Sequence, residues 1–153
     1  MIARWVSLLA FLGLCGLVSC EVAAEPVALA AFSSDGCSLF PDGTFKERNK
    51  WCGCCQEHDI AYWQGGTVGQ RLQADEALRA CVVERTGDEN LAEAMYLGVR
   101  GGGHPVFPTW YRWGYGWSYG RGYEALTEIE LRRVRELLDL YNERHPGGYC
   151  GGG

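Results

Sequence analysis

Apolar and cysteine positions between Lys46 and Gln64 recur at a spacing of three and four residues, and Gly65-Gly66 stops the run, so this stretch predicts a first helix ending in a tight turn. Thr67 followed by Gln70 has capping-box spacing and opens a second helix through Thr86, closed by Gly87. Asp88 is placed to cap a third, shorter helix through Leu97, with Gly101-Gly102-Gly103 as its terminator. Thr127 and Glu130 repeat the capping box ahead of a stripe of Leu131, Val134, Leu138 and Tyr141, which predicts a fourth helix ending near Pro146. Ser33 to Gly43 is dense in turn formers and reads as a loop. Between the third and fourth helices Trp113, Tyr115, Trp117 and Tyr119 alternate with small residues, and a period of two would set those rings on one face of an extended segment. Two readings of that strip are open: a strap whose aromatics cover the helical core, or a lipid-facing surface carried by Trp110, Trp113 and Trp117. No strand-helix-strand alternation is present, so the expected fold is mainly α.

Composition then narrows the setting. A chain of 153 residues is one domain, and a formal charge of −5 lacks the basic excess that tracks a phosphate backbone, so nucleic acid is an unexpected partner and a monomer is expected. Eight Cys and 22 Gly indicate a loop-rich, cross-linked fold from an oxidising compartment. Arg4 precedes the uncharged run Trp5 to Val18, which is too short to span a bilayer and suits an export signal. That run ends in Leu17-Val18-Ser19-Cys20, which resembles a bacterial lipobox in which Cys20 is acylated and becomes the first mature residue; cleavage after Val22-Ala23-Ala24 is the alternative. The expected division is therefore signal peptide 1–19, tether 20–31, folded domain 32–150 and a glycine tail 151–153. Glu21 after the Cys favours an exported lipoprotein at the outer membrane or cell surface, with a periplasmic or secreted protein as the alternative. Either cleavage leaves six Cys for bridging.

Chemistry concentrates on the first two helices. Cys55, His58, Asp59 and Tyr62 share one face of the first, and Asp75 lies on the inward stripe of the second among Leu72, Leu78 and Cys81. Facing residues of an antiparallel hairpin have a nearly constant summed number, and the pairs His58 with Asp75, Cys54 with Cys81 and Tyr62 with Leu72 all satisfy one register about the Gly65-Gly66 turn. Adjacent Cys54 and Cys55 point about 100° apart on a helix and need different partners. Cys55 is thereby left for Cys37 in the loop, and Cys52 pairs with Cys150 by elimination. Two rival uses of the same residues are a zinc knot of Cys52, Cys54, Cys55 and His58 and a Cys52/Cys55 redox pair, disfavoured respectively by export and by the missing βαβ pattern.

The segment CCQEHDIAY, Cys54 to Tyr62, resembles the CCxxHDxCY signature of secreted phospholipase A2, and DGCS at Asp35 to Ser38 looks like the calcium loop of that family. The resemblance covers roughly residues 35 to 82 and points to a compact bacterial branch with a disulfide-linked antiparallel helix pair. It implies that His58 is the general base, that Asp59 ligates calcium, that Asp75 orients His58 and that Tyr62 supports them. The six-residue step from Asp75 to Cys81 fits, and the family's further interhelix bridge is replaced as a pair by Ala61 and Ala74. Where the family has a Gly-rich CGxGG loop this chain has CSLFPDG; the carbonyls aligned with the calcium ligands are those of Gly36, Ser38 and Phe40, and a carboxylate from Asp35 or Asp42 in their stead is the alternative. The implied activity is calcium-dependent hydrolysis of a phospholipid ester at a membrane surface, releasing fatty acid and lysophospholipid. The implied alternative is an inactive, lipid-anchored envelope or binding protein on the same scaffold. From Arg85 onward no counterpart aligns.

Overall fold

The computed structural model describes residues 28–151. Four α-helices and a short 3-10 turn build the fold: α1 Cys52–Gln64, α2 Val68–Thr86, α3 Glu89–Gly102, α4 Glu128–Arg144 and the turn Tyr149–Gly151. Among the described residues there is no strand, as the mainly α reading expected. The export signal, Cys20 and residues 20–27 of the tether lie outside the described residues.

α1 begins six residues later than its periodicity suggests. Lys46 to Trp51 form turns because their polar groups are taken up locally: Thr44 Oγ1 accepts from the Glu47 N–H, Lys50 N–H donates to the Glu47 carbonyl, and Trp51 donates its backbone N–H to Asp42 O and its indole N–H to Pro41 O. The turn from α1 to α2 is made by Gly65 (φ 68°) and Gly66 (φ 133°), a pair of conformations that L side chains rarely adopt. Both capping boxes form, Thr67 with Gln70 on α2 and Thr127 with Glu130 on α4, and Asp88 accepts from the Leu91 N–H at the start of α3. α3 runs on through Gly101 and Gly102 rather than stopping at Leu97. Gly103 ends it packed against the Tyr62 ring, where a Cβ would collide with the ring edge. On α4 the buried face is Val134, Leu137 and Tyr141, with Leu131 and Leu138 half-buried at its margins.

Two apolar clusters flank α1. Cys37, Trp51, Cys54, Cys55, Leu78, Val82, Ala92 and Met95 fill the space among α1, α2, α3 and the loop before α1. Leu29, Phe32, Trp63, Trp117, Val134, Leu137 and Tyr141 join the segment 29–32, the end of α1, the aromatic strip and α4. The packed chain accordingly begins before Phe32: Leu29 is buried, Ala30 N–H donates to Gly116 O, and the Trp63 indole donates to Ala30 O. Leu29, Ala30 and Ala31, at the end of the expected tether, thus pack on the folded domain. Disulfides Cys37–Cys55, Cys54–Cys81 and Cys52–Cys150 tie the loop, α2 and the C-terminal turn to the first turn of α1.

The aromatic strip is neither extended nor one-faced. Gly114 (φ 71°) turns the chain, and its N–H and that of Gly116 donate to the Tyr62 and Trp63 carbonyls at the end of α1. Trp113 and Trp117 are buried, donating their indole N–H groups to Gly66 O and Gln64 O, while Tyr115 is half-buried and Tyr119 and Trp110 are exposed. A lipid-facing role is therefore removed from Trp113 and Trp117, whose polar atoms and rings are spent on the α1–α2 turn; of the three, Trp110 alone is exposed.

Candidate active site

Helical spacing on α1 turns His58, Asp59 and Tyr62 toward the groove between α1, α2 and α3. Asp75, completely buried on α2, is the hub. His58 Nε2 lies 2.9 Å from Asp75 Oδ1, Tyr62 Oη donates to the same oxygen at 2.7 Å, and Arg100 Nη1 donates to Oδ2 at 2.6 Å. Arg71, 1 % exposed, donates Nε to Tyr62 Oη and its guanidinium nitrogens to Tyr123 Oη and to the carbonyls of Val99 and Arg100 at the end of α3. Burial opposes ionisation of Asp75, but the hydrogen bonds from His58, Arg100 and Tyr62 outweigh it and hold the carboxyl below its usual range. An ionised Asp75 fixes the His58 tautomer with the proton on Nε2, which leaves Nδ1 as the lone-pair nitrogen. Burial, reinforced by the Asp75 charge, pushes the Tyr62 hydroxyl up, so it stays a donor.

Asp59 is in the opposite condition. Burial, together with the charges of Asp35 and Asp42, pushes it up to about 7 against a single opposing side-chain hydrogen bond from Ser34 Oγ at 2.6 Å and one from the Asp35 backbone. The adjacent loop is organised by its own acids. Asp42 Oδ1 accepts from the Cys37 N–H at 2.7 Å, Asp35 Oδ1 accepts from Ser38 Oγ at 2.7 Å, and Gly36 takes φ 73°, with a Cβ there barred by the Asp42 carboxylate. Asp42 is thus a loop clamp, and Asp35 is the acid that reaches the cavity wall.

Among the described residues no group of three or more His, Cys, Asp and Glu side chains is arranged to hold a metal. The zinc knot fails for a direct reason, since Cys52, Cys54 and Cys55 are all oxidised, and the redox pair fails because Cys52 and Cys55 bridge to different partners. A hard cation held by one carboxylate and loop carbonyls does fit the donor chemistry. Asp59 is a buried acid crowded by two further carboxylates, with no cation of the chain paired to it among the described residues; Cys37–Cys55 staples the loop that carries Ser38 and Phe40 beside it, and Gly36 connects to it through Ser34, whose Oγ accepts from the Gly36 N–H and donates to Asp59.

His58 and Asp59 open into a cavity of about 240 Å³ that is mostly apolar, walled by Phe40, Met95 and the Cys37–Cys55 bridge, with Ser38, Tyr62 and Tyr111 as its other polar residues. Ala94, Gly98 and Gly102 recur every four residues along the face of α3 that lines it, and a Cβ added at Gly98 would meet nothing within 4 Å. Ser38, Asp59 and Tyr111 also line a second cavity of about 310 Å³ on the other side of Asp59.

Comparison with family models, with curated proteins and with solved structures returns no match. The site is therefore read from its own geometry. Of the residues singled out in the sequence, His58, Asp59, Tyr62, Ser38 and Phe40 come together at one cavity with Asp75 directly behind His58. Sequence reasoning missed Arg71, Arg100 and Tyr123. Arg71 carried a signal, four residues before Asp75 on the same helix face; Arg100 carried none, because α3 brings it to Asp75 only through packing.

Proposed function

We propose that the chain is a calcium-dependent hydrolase that cleaves a carboxylic ester of a phospholipid into fatty acid and lysophospholipid, working at a membrane surface to which acylated Cys20 would tether it as a monomer. The observation that carries this reading is His58, backed by the buried Asp75, in the wall of a mostly apolar cavity and one residue from the carboxylate of Asp59.

His58 Nδ1 takes a proton from a water as the water oxygen bonds to the ester carbonyl carbon. The proton passes to the leaving glycerol oxygen as the ester C–O bond breaks. Asp75 keeps the imidazole in the required tautomer and stabilises its protonated form; proton transfer by a base so positioned contributes on the order of 10²- to 10⁴-fold in rate. Asp59 with the carbonyls of Gly36, Ser38 and Phe40 would hold the calcium ion, whose charge when bound stabilises the oxyanion. The apolar cavity along Ala94, Gly98 and Gly102 takes the acyl chain and excludes bulk water from it.

The test is fatty-acid release from phospholipid vesicles by the oxidised protein, with millimolar calcium and with chelator. Calcium-dependent release that is abolished in His58→Gln, with calcium binding retained because the base is not a ligand, supports the reading. No release from lipids of several headgroups overturns it and leaves the inactive lipid-anchored scaffold.

A further inference from the structure

The second cavity, about 310 Å³, meets the first at Ser38, Asp59 and Tyr111, so an ester carbonyl placed beside His58 would send its acyl chain into the first cavity and its polar end into the second. The second is built differently. Its lining includes the carboxylates of Asp35 and Asp59, three serines and the rings of Trp110, Tyr111 and Tyr115, and it contains no Lys, Arg or His. Trp110 and Tyr111 meet at 83° with centroids 5.1 Å apart, which makes a two-walled aromatic corner. The Trp110 indole N–H points at Asp35 Oδ2 at 3.4 Å, so a carboxylate stands at the edge of the corner. Tyr115 is held by its hydroxyl donating to Ser33 O at 2.7 Å.

Elsewhere the protein caps its aromatic faces with its own cations: Arg71 lies over Tyr62, Arg79 over Tyr96, Arg112 over Tyr119 and Arg121 over Trp117. Among the described residues no guanidinium or ammonium covers Trp110, Tyr111 or Tyr115. Aromatic faces with a nearby carboxylate and no basic side chain select a cation, and a cation that neither donates nor needs hydrogen bonds is the best match for ring faces. The formal charge of −5 acts in the same direction, disfavouring a headgroup that ends in an anion.

We propose that this aromatic corner binds a trimethylammonium group, which makes choline-headgroup phospholipids the substrate class of the site. The inference rests on the hydrolase reading for its lipid context, while the recognition itself belongs to Asp35, Trp110, Tyr111 and Tyr115. The same chemistry would admit free phosphocholine, so the two sources are separated in the test.

Two short-chain monomeric phospholipids with identical acyl chains, one with a choline and one with a glycerol headgroup, are hydrolysed under saturating calcium, and the ratio of their kcat/KM values is the readout. The expected ratio is about tenfold or more in favour of choline, falling about three- to fivefold in Trp110→Ala, restored in Trp110→Phe and reduced in Asp35→Asn. Trp110 is 65 % exposed, so its truncation leaves the fold in place. Hydrolysis with no headgroup preference, or a preference indifferent to Trp110, overturns the inference and leaves the hydrolase reading standing. If neither lipid is hydrolysed the hydrolase reading fails, and the corner is decided by saturation-transfer NMR. Transfer from the protein to the methyl protons of phosphocholine, absent with glycerol phosphate and lost in Trp110→Ala, upholds it as a trimethylammonium site for the free compound; no transfer removes it.

Discussion

Asp59 without a metal should be a pH-dependent liability, and the size of that liability can be worked out. Its carboxyl is raised from 3.8 to about 7, with burial the largest cause, so the folded state prefers the protonated acid while the unfolded chain ionises normally. A raised folded value contributes stability in full below 3.8 and loses it as pH rises through about 7. A gap of roughly three units corresponds to about 4 kcal/mol, of which about 3 falls between pH 4 and 7. Asp59→Asn cannot ionise and has no such loss. In chelator, the stability of Asp59→Asn relative to wild type should therefore climb by about 3 kcal/mol from pH 4 to pH 7, which is roughly 10 °C in Tm for a domain of this size. Titrating carboxylates remote from Asp59 are common to both proteins and cancel in the difference. Calcium at a hundred times its Kd should then return about 2.7 kcal/mol to the wild type near neutral pH and much less to the variant. Denaturant and thermal unfolding across pH, with and without calcium, reads both quantities. Parallel stability curves in chelator, or an equal calcium shift in the two proteins, would refute the assignment of Asp59 as a buried ligand that a cation must neutralise.

Asp75→Asn leaves Arg71 and Arg100 facing a neutral amide and should cost about 3 to 5 kcal/mol at pH 7 by denaturant unfolding. The folded Asp75 value is lowered, so its contribution is present above the unfolded value of 3.8 and is lost as pH falls through the folded one; the gap between the two proteins should narrow in acid. Gly98→Leu adds a side chain into open cavity space and removes a helix-interior glycine worth about 1 kcal/mol, so the melting temperature should hold or rise while hydrolysis of long-chain esters and uptake of an apolar fluorophore both fall. Trp113→Ala empties a site only 2 % exposed and should cost about 3 to 5 kcal/mol, with activity on vesicles and on a monomeric ester reduced alike; a loss confined to vesicles would return Trp113 to the lipid-facing surface.

Local rules carried the parts of this protein that local chemistry decides. Thr67/Gln70 and Thr127/Glu130 could be read as capping boxes because the residues that satisfy the free N–H groups lie within one turn, and the Gly65-Gly66 turn was legible because few other residues take those dihedrals. Once two helices and a tight turn were known, antiparallel register alone placed His58 opposite Asp75 and Cys54 opposite Cys81. Contacts between elements distant in sequence obey no such arithmetic. The alternation of Trp113, Tyr115, Trp117 and Tyr119 promised one face, yet Gly114 bends the segment and the end of α1 claims two of the rings, because their burial and indole hydrogen bonds outweigh the intrinsic period. Helix α1 lost its expected first turns for a similar reason: Asp42 and Pro41, in the preceding loop, take the hydrogen bonds of Trp51. Packing of α3 on α2 decided that Arg100 reaches Asp75 and that Ala94, Gly98 and Gly102 face a cavity, and the fold of residues 30–34 over Trp63 completed the second cavity beside Asp59. The sequence by itself determined which groups could do chemistry and which two helices present them. Only the tertiary structure decided which charges surround them and what shape of space they face, since electrostatics and cavities depend on distances that sequence separation does not encode.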